Sequence, residues 1–392
     1  MDPDLSDLDT YLSEAGADGY LMNAADDDPN PGYISGFSAP DPFTTLYTPG
    51  GVRLLVSGLE YGRATKESRA ASVRRGSDYD YREKVEELGR TAAGHAVVAE
   101  FLREFDVGSV AVPERFPVAL ADALRERGIG VEAETDDVLT GIRAVKTDEE
   151  VEYLRAAQAA NERAMAAAED LIREATVDED GTLVHDGDPL TSERVKEEIE
   201  VTLLREGCGL DEAIVACGAD GADPHDRGSG PLEAGELVVI DIFPKKRATG
   251  YHGDLTRTFL KGEPTDEMRE RYRITDEALA AALDTLRAGT TGEAVHDAVC
   301  DVYEEAGYAT LRDDPAAETG FIHSTGHGVG LEVHELPRLS PDGGELEPGH
   351  VVTVEPGLYD PAVGGVRIED LVVVTEDGYE NLTDYPKELV VD

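Results

Sequence analysis

Cysteine is scarce in this chain. Cys208, Cys217 and Cys300 form no Cys-x-x-Cys pair and leave one thiol odd, which argues against both a disulfide framework and a thiolate zinc site. Any metal here must be held by oxygen and nitrogen. Long apolar runs are also missing, since no stretch approaches the ~18 apolar residues of a membrane span. The opening Met1-Asp2-Pro3-Asp4 is acidic, where a secretory signal needs a basic start and an apolar run. A cytoplasmic protein with no membrane partner is expected. Basic residues are few as well, 35 against 84 acidic ones. No basic patch is visible, so nucleic acid is excluded as a partner.

The resulting formal net charge of −49 is spread along the chain and not gathered in a tail. Such self-repulsion strains a fold in dilute buffer, and becomes tolerable where salt shortens the Debye length to a few ångströms. Only eight of the 35 basic residues are lysine, which fits salt adaptation. A binder of basic partners would instead cluster its acid, and runs such as Asp26-Asp27-Asp28 are short. With 40% hydrophobic and 30% charged residues over 392 positions, the composition suits a soluble protein of two domains, each able to bury its own core.

Residues 1–143 alternate strand-like runs (51–58, 107–112) with helical patterns (79–105, 116–127), the rhythm of a small α/β domain. Near Lys146 the texture changes. Thr147-Asp148-Glu149-Glu150 is a capping box that opens a helix carrying Val151, Leu154, Met165, Leu171 and Ile172. Residues 144–392 then contain a weak repeat: Leu232-Glu233-Ala234-Gly235 with an apolar strand ending at Asp241, and Leu346-Glu347-Pro348-Gly349 with another ending at Glu355. Asp241 and Glu355 lie 114 residues apart, close to the 118 separating the helix starts Thr147 and Thr265. A second acid follows each copy, Asp254 and Glu369. The pattern predicts an α+β domain of two duplicated helix-helix-strand-hairpin halves, with residues 177–189 as an inserted loop. If the halves pack about a pseudo-twofold axis, four acids converge on one site. They cannot all stay ionised uncompensated, and a pair of divalent cations is the natural compensation.

Asp241 ends a run buried on both strand faces, so it must be paired or ligated. Asp254 lies on a strand face with Thr256 and Thr258, and the competing reading pairs it with Arg257. The densest signal is His323-Ser324-Thr325-Gly326-His327-Gly328-Val329-Gly330-Leu331-Glu332-Val333-His334-Glu335, where three of the nine histidines fall within twelve residues. Neutral imidazole serves either as a nitrogen ligand or as an acid–base group. His95, His185 and His296 stand alone and read as structural or surface residues. The glycine spacing does not match a nucleotide-binding loop. In Val366-Arg367-Ile368-Glu369-Asp370, strand alternation puts Arg367 beside Glu369, either neutralising it or orienting a ligating carboxylate.

Together these segments resemble the pita-bread metallopeptidases, the family of methionine aminopeptidase, aminopeptidase P and prolidase. His323 to Glu335 fits the signature of the proline-specific members at every position. Asp254-Leu255-Thr256-Arg257-Thr258-Phe259, Glu355-Pro356-Gly357 and Arg367-Ile368-Glu369-Asp370 complete the set. Tyr33-Ile34-Ser35-Gly36-Phe37 also resembles the creatinase-like N-terminal domain of the Xaa-Pro branch, so the likeness spans nearly the whole chain. One departure is the spacing from Asp241 to Asp254, two residues longer than usual, with the excess near Pro244-Lys245-Lys246-Arg247.

The resemblance implies a pita-bread catalytic domain over 144–392, preceded by an α/β domain over 1–143. It implies two divalent ions per chain, Asp241 binding one, His327 and Glu355 the other, and Asp254 and Glu369 bridging them. One nitrogen among carboxylate oxygens favours manganese, with cobalt, iron or zinc as alternatives. It further implies that Glu355 shuttles a proton, His225 contacts the substrate amide, and His334 stabilises the tetrahedral intermediate. His323 is then a third histidine of the proline branch, and Arg367 a supporting residue. The expected activity is Xaa-Pro dipeptidase or Xaa-Pro aminopeptidase on small peptides, by a homodimer. The alternatives are hydrolysis of another small amide such as ectoine, or a non-catalytic binding protein on the same scaffold.

Overall fold

In the computed structural model, which describes residues 3–392, the chain divides after Ile142 into two units. The first is built on a six-stranded sheet in the order 72–75, 51–56, 43–48, 19–24, 109–113, 130–134. The pairings of 19–24 with 43–48 and of 43–48 with 51–56 are antiparallel, and the other three pairings are parallel. Helices Arg90–Glu104 and Val118–Glu126 bury Val97, Phe101, Leu102, Leu120 and Leu124 with Leu21, Leu46 and Val110 of the sheet. The helical stretch expected over 79–105 is two helices, Tyr81–Leu88 and Arg90–Glu104, parted at Gly89. Its φ of 79° lies in the left-handed region that a side chain disfavours.

The second unit opens at the capping box. Thr147 Oγ1 accepts from the Glu150 N–H, and the Glu150 carboxylate accepts from the Thr147 N–H at 2.8 Å. The helix that follows, Asp148–Glu174, buries Leu154, Ala157, Ala164, Met165, Ala168 and Ile172 at helical spacing. It packs on Ser192–Arg205, and a second pair, Asp266–Thr285 with Gly292–Glu305, repeats the motif. Thr191, Thr265 and Thr291 cap these helices through their hydroxyls.

Each helix pair accompanies an antiparallel sheet. In the first half Val238–Ile242 is central, flanked by Ala213–Cys217 and Leu255–Phe259. In the second Val351–Val354 lies between Gly326–Gly328 and Asp370–Val374, and the sheet continues to Glu335–Leu339 on one side and Tyr379–Asn381 on the other. The equivalence of the halves extends to the acids. Asp241 is the penultimate residue of one central strand and Glu355 directly follows the other, while Asp254 and Glu369 each stand one residue ahead of a flanking strand.

Two local expectations change. Residues 177–189 are not an open loop but a small meander of strands Thr176–Val177, Leu183–His185 and Asp188–Pro189. Leu183 and Leu190, buried in the first half's core, hold it down. The segment 366–370 is not one strand: Gly364–Arg367 pairs with Gly357–Asp360, whereas Asp370–Val374 pairs with Val351–Val354, so Ile368 and Glu369 form the break. The extra residues after Asp241 are absorbed at a tip where Lys245–Lys246 pairs with Cys208–Gly209. Asp241 keeps regular register opposite Ile214 and Thr256.

Candidate metal centre

Two opposed sheets deliver the acids. Asp241, Asp254 and Glu369 each present a carboxylate oxygen, all within 4.8 Å of one another. His327 Nε2 lies 3.8 Å from Asp254 Oδ2 and 3.4 Å from Glu355 Oε1. Its Nδ1 is 3.1 Å from the Gly328 carbonyl, which assigns the ring proton to Nδ1 and aims the Nε2 lone pair at the carboxylates. Thr353 couples the two sides of this corner, accepting from the His327 N–H at 3.0 Å and donating to Glu355 Oε1 at 3.2 Å. The approach requires Gly326, because a Cβ there would meet the Thr353 carbonyl oxygen at 2.0 Å.

Burial, together with the crowding of carboxylates, governs the electrostatics. Burial, reinforced by the charges of Glu369, Asp241 and Glu355, pushes the Asp254 carboxyl well above its ordinary range. Burial followed by Glu355 and Asp241 does the same to Glu369. Burial pushes Glu355 up to about 7, although Arg367 works against it. Burial and the neighbouring His334 hold His327 down at about 3, so it is neutral and able to ligate. Asp241 Oδ1 is buried and meets no hydrogen-bond donor among the described residues. Four carboxylates and one neutral imidazole, converging with an orphaned oxygen, fit divalent cations and fit no protein counter-ion as well.

The cation that does enter the cluster is Arg367, 3% exposed. It donates to Asp241 Oδ2 at 2.7 Å, to the Tyr359 hydroxyl at 2.8 Å and to Thr256 Oγ1 at 3.1 Å. Its direct carboxylate partner is thus Asp241 and not Glu369, which lies in the same cluster and shares the Thr256 hydroxyl with Arg367. Arg257 likewise leaves Asp254 alone and pairs with Asp370 at 3.1 Å.

The other histidines divide by position. His334 is exposed, with its ring 4.3 Å from that of His327. His225 stands on the exposed turn after Ala222, near enough to add to the burial that lowers His334 and His323. His323 is engaged at both nitrogens, Nδ1 with the Ser324 carbonyl at 2.6 Å and Nε2 with the Tyr359 hydroxyl at 3.1 Å. Burial and the Arg367 charge hold it at about 3. Of the isolated histidines, His296 is buried against Phe321 and bonds Thr325 Oγ1 at 3.0 Å, which makes it structural. Sequence reasoning missed Tyr359 and Thr353. Each lies on the alternation of a strand beside Glu355, and a hydroxyl within an otherwise apolar buried run was the available signal.

Comparison with known proteins agrees with this geometry. A model of metallopeptidase family M24 matches residues 152–376. The chain is 30% identical over 368 residues to an Xaa-Pro dipeptidase of Pyrococcus horikoshii, covering 92% of each. It superposes on the Xaa-Pro dipeptidase of Bacillus anthracis with a TM-score of 0.81 and 28% identity over 98% of both chains. On the X-Pro aminopeptidase of Thermotoga maritima the TM-score is 0.79, with 28% identity over 96% of this chain and 98% of that one.

Proposed function

Because the chain belongs to metallopeptidase family M24, we propose that it hydrolyses Xaa-Pro peptide bonds in small peptides with two divalent cations held by residues of the unit 144–392. The observation that carries this reading is the convergence of Asp241, Asp254, Glu369, His327 and Glu355 on one another, with exposed His334 beside them. Asp241 is assigned to one ion, His327 and Glu355 to the other, and Asp254 and Glu369 to both. Manganese suits a set of four carboxylates and one imidazole, as do cobalt and iron. Bound there, the cations would supply Lewis acidity and a water that ionises near neutral pH.

The chain's own residues perform the remaining tasks. Glu355, at the edge of the cluster, takes up a proton and returns it to the leaving nitrogen. That return matters for proline, whose tertiary amide offers no N–H and leaves as a secondary amine. His334 and His225, on the open side of the cluster, supply hydrogen bonds to the scissile amide, His334 to the oxygen as charge develops on it. Arg367 holds Asp241 in place through its 2.7 Å bond. His323 acts through Tyr359, to which its Nε2 is committed.

The test is kcat/KM on Ala-Pro, Ala-Pro-Ala, Ala-Ala and a cyclic amide, in molar salt with manganese. Ala-Pro should far exceed Ala-Ala, and its ratio to Ala-Pro-Ala separates dipeptidase from aminopeptidase. Equal rates on Ala-Pro and Ala-Ala would defeat the proline assignment, and turnover of the cyclic amide alone would shift the reading to a small-amide hydrolase.

A further inference from the structure

Asp254 and Glu369 share a positional problem. Each precedes its strand by one residue, so the backbone that aims its carboxylate is not secured by the regular ladder. For Asp254, the pairing with Val238–Ile242 ends at Leu255 opposite Ile242, and its peptide groups need partners from elsewhere. They find one side chain, Gln158, on the buried face of helix Asp148–Glu174 and 0% exposed. Gln158 Oε1 accepts from the Asp254 N–H at 2.9 Å, and Gln158 Nε2 donates to the Asp254 carbonyl at 2.8 Å. A single amide thus reproduces both hydrogen bonds that a neighbouring strand would have made.

The second Nε2 hydrogen is also used, donated to Thr383 Oγ1 at 2.9 Å. Thr383 Oγ1 in turn accepts from the Leu371 N–H at 2.9 Å, two residues beyond Glu369. Both donors and the acceptor of the amide are therefore occupied, which fixes its orientation: a flipped amide would set N–H against N–H at Asp254. One turn further along the helix, Asn161 Nδ2 reaches the Ile242 carbonyl at 2.5 Å, next to Asp241. Beyond Glu150, Gln158 and Asn161 are the polar side chains on the buried stripe of this helix. Burying an amide is unfavourable unless its bonds are made; those of Gln158 are all made, Asn161 Oδ1 meets no donor among the described residues, and the bonds the two amides do make lie behind the acids of the cluster.

We propose that Gln158 is a positioning residue for metal binding, clamping the main chain behind Asp254 directly and behind Glu369 through Thr383. The proposal rests on the reading of Asp254 and Glu369 as ligands. A group that orients a ligand is worth about 10- to 100-fold in metal affinity. Gln158→Met preserves length and burial while removing all three hydrogen bonds.

The experiment is calorimetric titration of the metal-stripped full chain with manganese in molar salt, alongside a melting curve of each metal-free variant. Gln158→Met should weaken manganese binding by about 10- to 100-fold. Thr275→Val, which removes a buried hydrogen bond to Tyr303 in the other helix pair, should lower the melting temperature but leave the affinity within twofold of the parent. Thr383→Val, a milder change in case Gln158→Met does not fold, should weaken binding by a smaller factor, since it severs only the arm toward Glu369. Asp254→Asn separates the two hypotheses. If it binds manganese like the parent, the ligand assignment fails. If it loses manganese while Gln158→Met and Thr383→Val keep parental affinity, the ligand assignment stands and the role of Gln158 is overturned. Equal weakening in Thr275→Val would likewise overturn it, reducing the effect to general destabilisation.

Discussion

Glu355 carries a pH signature that can be read without turnover. Its carboxyl moves from an ordinary 4.5 to about 7 in the folded, metal-free protein, and Asp254 and Glu369 move in the same direction. A carboxyl raised by folding contributes stability that is fully present below its unfolded pKa and lost as pH rises through the folded one. The metal-free protein should therefore melt at progressively lower temperature as pH climbs from about 4.5 past about 7, with molar salt holding the overall repulsion constant. Glu355→Gln should reduce that slope, Asp254 and Glu369 keeping part of it, and manganese should abolish it. A melting temperature independent of pH in the metal-free parent would refute this account. The two neighbouring histidines make a second contrast. His327→Ala should lose bound metal, whereas His334→Ala should retain it and lose about 10² in kcat, the scale of one transition-state donor. Elemental analysis beside single-substrate kinetics separates them, and metal loss in the His334 variant would defeat its assigned role.

Among the elements, the strand Glu335–Leu339 holds the signature segment through ionic contacts. Glu335 is buried with Arg143 and Lys146, whose Nζ lies 2.7 Å from Glu335 Oε2. Glu335 Oε1 also accepts from the Glu332 N–H at 3.0 Å, closing the turn that carries His334. Removing one partner of a buried ionic group leaves charge unpaired and costs about 3–5 kcal/mol. Glu335→Leu should accordingly be destabilising by that amount in denaturant unfolding. Replacing Arg143, Lys146 and Glu335 together by apolar residues of similar volume should recover most of the loss. A Glu335→Leu cost below about 1 kcal/mol would mean that solvent reaches the cluster. The repeat also belongs to this scale. Its helix starts and Gly-turn strands were legible as a ten-residue echo, but the sequence did not show that residues 177–189 form a meander or that the chain breaks at Ile368.

For the whole molecule the dominant fact is a formal charge of −49. Many of the surface arginines are already committed to acids. Arg312, for example, bonds Asp297, Asp301 and Glu304, so internal pairing relieves only part of the excess. At 0.05 M salt the Debye length is more than 10 Å, and in molar salt it is about 3 Å. Dialysis from 3 M to 0.05 M should lower the melting temperature markedly and reversibly, as followed by circular dichroism. An unchanged midpoint would sink the salt-adaptation reading. Among the described residues no helix is long and apolar enough to cross a membrane.

Composition and pattern by themselves pointed to two units and duplicated halves, and short motifs pointed to the family and to the five acid and imidazole positions that the structure brings together. These are local or periodic properties, carried by turn residues, strand alternation and short motifs. Only the tertiary structure decided which charged groups meet. Arg367 pairs with Asp241 across 126 positions, Arg257 with Asp370 and not Asp254, and Tyr359 takes up the free nitrogen of His323. Gln158 reaches Asp254 across 96 residues of chain. Such pairings depend on register between strands and on the helix that lies behind them. A short break such as Ile368–Glu369 redirects the side chains beyond it, and no local pattern specifies where that redirection ends.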